Sequence, residues 1–141
     1  MKSIRLMVVR DRRCKQEVLI NSPKAVFDLL AKEARYQDRE RFLRIDLDAR
    51  HRVLGWEVVS VGTLSASLVH PREFFKAALL SNAAGVIAAH NHPSQDVTPS
   101  QEDKDSTRRL KSAGELLGVP LLDHVILSDK KFYSFRDAGI L

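Results

Sequence analysis

The chain has 141 residues, enough for one domain that buries roughly 68–70% of its unfolded surface and needs no covalent staples. Its single cysteine, Cys14, allows no internal disulfide and excludes the Cys-x-x-Cys pair of a zinc deaminase, which points to a reducing cytoplasm. A net charge of +5 permits a phosphate-bearing or acidic partner, while no run approaches the ~20 apolar residues of a membrane span.

The opening MKSIRLMVVRDRR has too short an apolar stretch for a signal peptide. Within it, Ile4 to Val9 reads as an edge strand and Arg10 to Lys15 as a charged turn. Ser22 and Pro23 mark a helix start, with Val26, Phe27, Leu29 and Leu30 as its apolar face, and the helix is expected to run to about Tyr36. Phe42–Asp48 and Arg52–Ser60 alternate as strands around the polar Ala49-Arg50-His51, which predicts a hairpin. Trp56 sits on the strand face opposite Glu57 and reads as a core residue. Pro71–Leu80 reads as a second helix leading into a strand from Ala83 to His92. A third helix spans Ser100–Leu117 and is ended by Gly118 and Pro120. Leu121–Leu127 and Lys131–Phe135 close the chain as strands, while His51 and His70 read as surface groups. The sum is an α/β fold with a mixed sheet flanked by helices, residues 1–141 forming one domain without repeats.

The chemistry concentrates after the apolar run AAGVIAA, Ala83 to Ala89, which has the length of a buried strand. His90 and His92 lie at its carboxyl end. Successive strand side chains point to opposite faces, so both imidazoles share a face and Asn91 points away. Beyond a turn-rich loop, Pro93 to Pro99, Ser100 to Asp103 reads as the first turn of a helix. The Asp103 carboxylate can swing back to the strand end and complete a His, His, Asp set with one open position. Catalytic zinc uses that arrangement, one ion per chain. Ser100 and Asp103 also match a capping box with Asp in place of Glu, and the two roles are compatible.

Competing patterns are absent. The letters His90-Asn91-His92 suggest an HNH nuclease, but that family disperses its residues over a ββα unit. There is no His-Glu-x-x-His, Gly-x-Gly-x-x-Gly or Gly-x-x-x-x-Gly-Lys, so neither a helical zinc protease nor a bound nucleotide is indicated. Basic residues cluster at Arg10, Arg12, Arg13 and Lys15, at Arg35, Arg39, Arg41 and Arg44, and at Arg108, Arg109 and Lys111. Such clusters meet nucleic-acid phosphates or form a solvated face. Aromatic residues are not interleaved with them, so no stacking platform for single strands is expected.

The stretch from His90 through Ser100 to Asp103 resembles the JAMM motif, His-x-His, seven residues, Ser, two residues, Asp, in its RadC-like bacterial form. Similarity extends upstream through Arg41-Phe42-Leu43 and Gly62-Thr63-Leu64 to Pro71-Arg72-Glu73, and downstream through Leu122-Asp123-His124 to Tyr133-Ser134-Phe135. The helix-hairpin-helix region that RadC-like proteins usually carry at the N-terminus has no counterpart in these 141 residues, so DNA binding attributed to it is not carried over. The resemblance implies a JAMM/MPN, cytidine-deaminase-like layered fold and a zinc hydrolase of the metallopeptidase or isopeptidase type. Its substrate would be a peptide or protein with an amide or isopeptide bond. In this reading His90, His92 and Asp103 hold the Zn2+ and Ser100 supports the water or oxyanion. A glutamate on an earlier strand moves protons, and Glu57 is the only glutamate of the matching segment Arg52–Ser60. The alternative that the family name suggests is a non-catalytic DNA repair or recombination protein acting through the basic clusters. His124 is read as a half-buried strand residue or a support to a ligand, outside the ligand set.

Overall fold

The computed structural model describes residues 1–5, 8, 17–62 and 69–141. Its elements follow the chain as α1 (Pro23–Ala34), β1 (Arg41–Leu47), β2 (Val53–Val61), α2 (Pro71–Leu80), β3 (Gly85–Asn91), α3 (Gln101–Leu117), β4 (Leu121–Leu127) and β5 (Phe132–Ser134). The strands form one mixed sheet in the order β2-β1-β3-β4-β5. β1 pairs antiparallel with β2 and β3, β3 runs parallel to β4, and β5 returns antiparallel to β4. The parallel step needs a long crossover, and α3 supplies it.

Local chemistry explains each helix start. Ser22 accepts the Ala25 N–H at 3.2 Å with Pro23 as the first helical residue, and His70 Nδ1 accepts the Arg72 N–H at 3.1 Å ahead of Pro71. Gly118 ends α3 in the left-handed region, φ 72°. Gly114 has a different reason: a Cβ there would stand 2.6 Å from the Val119 carbonyl oxygen, so its absence lets α3 close down on the entry to β4.

The alternation of β1 divides the core. Leu43, Ile45 and Leu47 join Ile87, Ala89, Val125 and Leu127 beneath α1. Phe42 joins Val86 and Ala88 beneath α2 and α3, together with Phe74, Phe75 and Leu110. Every residue of β3 is buried, as befits a central strand covered on both faces. That burial fixes its register firmly, because a one-residue slip would turn its apolar set to the wrong face. No helix among the described residues is long and apolar enough to cross a membrane.

The fold agrees with the predicted mixed sheet and flanking helices, and it corrects several details. The expected strand from Ile4 to Val9 falls partly on residues 6, 7 and 9, outside the described ones, and Ile4, Arg5 and Val8 belong to no strand. The Arg10 to Lys15 turn also lies outside the described residues. Residues further on touch the start of β2 instead: Leu19 forms an isolated bridge with Arg52, and the Val53 N–H donates to the Val18 carbonyl at 2.8 Å. α1 stops at Ala34 because Arg35 turns extended and Tyr36 adopts φ 57°. Trp56 is 40% exposed, since β2 is an edge strand and its outer face is incompletely covered. Arg44, expected in a basic surface cluster, is 1% exposed.

Candidate metal centre

The site forms where β3 ends against the start of α3. His90 is fully buried, and His92 follows one residue past the strand. The His92 N–H donates to the Leu127 carbonyl at 2.9 Å, so pairing with β4 continues through this residue and keeps both rings together. Their Nε2 atoms lie 2.9 Å apart, with Asp103 oxygens 3.1 Å from His90 Nε2 and 3.4 Å from His92 Nε2. Ligands of a tetrahedral ion at roughly 2.0–2.1 Å stand ~3.3 Å apart, so these separations suit one small cation to within a few tenths of an ångström. Among the described residues, these three are the His, Cys, Asp or Glu group able to hold a metal.

Proton bookkeeping points the same way. The Asp96 carbonyl, 2.6 Å from His92 Nδ1, can only accept, so Nδ1 carries the proton and Nε2 offers a lone pair. Burial disfavours charge at His92 and at Asp103, but their partners outweigh it. Asp103, the Asp96 carbonyl and Glu40 raise the His92 pKa, while His90, His92 and the Ser100 N–H hold the Asp103 carboxyl far below the ordinary carboxylate range. The electrostatics of the pocket therefore favour positive charge between imidazoles and carboxylate.

Asp103 is held ready by the helix it begins. The Asp103 N–H donates to Ser100 Oγ at 3.1 Å and the Ser100 N–H to Asp103 Oδ2 at 2.7 Å, a complete capping box. The expected cap is thus present, and the same carboxylate belongs to the group that could hold an ion. The preceding loop is closed by its own polar groups: Gln95 N–H on the His92 carbonyl at 3.0 Å and Thr98 N–H on Asp96 Oδ1 at 2.9 Å. Ser100 itself is exposed beside the ligand set.

Comparison with known proteins bears on this arrangement. The RadC-like JAB domain family matches residues 20–140. The chain belongs to that family. A UPF0758 protein of Desulfitobacterium hafniense is 50% identical over 123 residues, covering 87% of this chain and 54% of the relative. UPF0758 proteins of Methanosarcina mazei (47% over 122 residues, 86% and 53%) and Moorella thermoacetica (50% over 123 residues, 87% and 54%) are similar. The chain therefore spans about half the length of the curated relatives it matches.

Within this RadC-like JAB domain the two glutamates nearest in sequence to β1 and β2 sit differently. Glu57 lies on β2, its carboxylate 2.9 Å from Arg44 Nη2 and outside the three-residue metal group. Buried Arg44 also donates to both oxygens of Asp46, at 2.6 and 3.1 Å, and to the Phe74 carbonyl at 2.6 Å. Glu40 precedes β1. Since Phe42 pairs with His90, the antiparallel register carries Glu40 opposite His92. Asn91 fixes that alignment: its Oδ1 accepts the Arg41 N–H at 2.7 Å and its Nδ2 donates to the Arg39 carbonyl at 3.0 Å. As expected, Asn91 turns away from the ligands, but it grips the segment that bears Glu40. Glu40 also lines an open cleft of about 440 Å³ with Asp38, Arg39, Gly62, Pro93 and Ser94.

His124 is fully buried against His90, its Nε2 2.8 Å from His90 Nδ1 and its Nδ1 2.6 Å from Thr107 Oγ1. Burial first, then the neighbouring His90, pushes its pKa well down, so the ring is neutral. Three arginines of the basic clusters have partners of their own. Arg44 is spent inside, Arg41 pairs with Glu33 at 3.2 Å, and Arg108 pairs with Asp105.

Proposed function

We propose that this domain is a zinc-dependent hydrolase that cleaves an amide or isopeptide bond in a peptide or protein substrate with water. The observation that carries the reading is the convergence of His90 Nε2, His92 Nε2 and the Asp103 carboxylate within 3.4 Å, with His92 Nδ1 engaged by a backbone carbonyl. His90, His92 and Asp103 would hold the ion. Zinc, when bound, supplies a Lewis acid and a water whose pKa falls to about 7.

The remaining work belongs to the chain. A carboxylate must take the proton of the attacking water and deliver it to the leaving amine, a contribution of about 10²–10⁴-fold. Support for Glu40 in this role comes from its register opposite His92 and its place in the cleft. Glu57, the residue the family resemblance suggests, has its carboxylate on Arg44. Ser100 Oγ accepts the Asp103 N–H and keeps its own proton for the developing oxyanion. The cleft at Glu40, Pro93 and Ser94 would receive the substrate chain.

The test is incubation of the zinc-loaded domain with a proteome-derived peptide pool and isopeptide-linked model substrates, reading newly formed amines by mass spectrometry. New amines that vanish with Glu40→Gln, while zinc content stays unchanged, support the proposal. Their absence from every pool, or their persistence in Glu40→Gln, would reject the hydrolase reading or the Glu40 assignment respectively. An adaptor acting on nucleic acid would instead show duplex binding that weakens steeply with salt.

A further inference from the structure

Resting on the reading of His90 as a metal ligand, we infer that Thr107 and His124 form a relay that fixes which nitrogen of His90 is free to bind the ion. The two ligand histidines are oriented by different means. His92 meets a carbonyl directly, and a carbonyl leaves no choice of tautomer. His90 Nδ1 meets another imidazole, His124 Nε2, at 2.8 Å, and two imidazole nitrogens can share a proton either way round. The decision must therefore come from further back.

It comes from Thr107. Thr107 Oγ1 lies 2.6 Å from the Asp103 carbonyl oxygen, which has no proton to give, so the hydroxyl proton points there. The same oxygen lies 2.6 Å from His124 Nδ1 and, its proton committed, can only accept. His124 therefore carries its proton on Nδ1 and presents a lone pair at Nε2. That lone pair accepts the His90 Nδ1 proton, and His90 Nε2 is left as a lone pair facing His92 and Asp103. The chain of donors begins at the backbone of Asp103, itself a ligand, so the helix that brings the carboxylate also sets the imidazole.

Packing keeps the rings in line. Phe135 stacks on His124 with centroids 4.8 Å apart and planes 12° apart, and Phe42 stacks on His90 at 5.8 Å and 11°. Neither ring can rotate to exchange its nitrogens without displacing a buried phenylalanine. Thr107 and His124 are positioning residues, since neither reaches the metal atoms' side of the site. Loss of such an outer partner typically lowers metal affinity 10–100-fold.

The experiment pairs zinc competition titrations with ¹⁵N–¹H correlation of the histidine rings, on wild type, Thr107→Val and Thr107→Ser. The expected result is a pyrrole-type Nδ1 and pyridine-type Nε2 for His124 in wild type, with and without zinc. Thr107→Val, which keeps the volume and removes the acceptor, should weaken zinc 10–100-fold and scramble the His124 tautomer, and Thr107→Ser should restore both. Wild-type zinc affinity in Thr107→Val would overturn the relay. If Thr107→Val does not fold, the wild-type spectrum decides, and a His124 protonated on Nε2 overturns it. Failure of wild type to bind zinc at all would reject the metal reading instead, leaving the tautomer of His124 to be read in the metal-free protein.

Discussion

The Arg44 cluster and the His90 cluster lie on adjacent strands of one sheet face, yet they arrange their donors and acceptors in opposite ways. Around Arg44 the hydrogen bonds close internally: one guanidinium donates to both oxygens of Asp46, to Glu57 and to the Phe74 carbonyl. Around His90 the proposed tautomers direct the ring protons outward, toward Asp96 and toward His124, so that lone pairs and a carboxylate converge on one point. The first arrangement is closed and holds β1, β2 and α2 together. The second leaves a place that a cation could fill. Buried polar residues are thus not functional by virtue of burial; what distinguishes them is whether their donors and acceptors cancel.

Removing one member from each cluster tests that distinction. Arg44→Met should lower unfolding free energy by about 3–5 kcal/mol, because Asp46 is left buried without its partner. Urea denaturation would measure it, and zinc stoichiometry of the folded fraction should be unchanged. A mild change in stability together with loss of zinc would merge the two clusters. Ser100→Ala removes a cap and should cost about 1 kcal/mol in the same assay while one zinc per chain is retained. Glu57→Gln keeps a hydrogen bond to Arg44 and loses only the charge of a side chain 43% exposed, so the expected loss is about 0.2–1 kcal/mol. Turnover of Glu57→Gln should stay within about twofold of wild type, against the 10²–10⁴-fold deficit expected of Glu40→Gln. A hundredfold deficit in Glu57→Gln would return the proton-carrying role to it.

The parts legible in the sequence obey short-range rules. Alternation along a strand puts His90 and His92 on one face, and the three-residue spacing of a capping box brings Asp103 back toward its own helix start. Helix starts at Pro23 and Pro71 follow from local chemistry in the same way. Glu40 is different, because its relation to His92 depends on how β1 registers against β3, fifty residues away in sequence. The signal available was Asn91, a polar residue in a strand with both faces buried, which needs backbone partners and finds them at Arg39 and Arg41. Arg44 was open to reading as well: Asp46 stands two residues on, on the same strand face, and Arg-x-Asp between the apolar residues Phe42, Leu43, Ile45 and Leu47 signals an internal pair. Trp56 shows the limit of period-two patterning. The pattern names a face, but cover for that face at an edge strand is a tertiary matter.

The central claim is that His90, His92 and Asp103 form one metal centre. The most direct measurement is zinc content by native mass spectrometry of wild type, His92→Ala and Asp103→Asn, each confirmed folded by circular dichroism and incubated with zinc. The account predicts one zinc per wild-type chain and none in either variant. Wild type without zinc, or zinc retained in both variants, would contradict it and leave Asp103 as the cap of α3 alone.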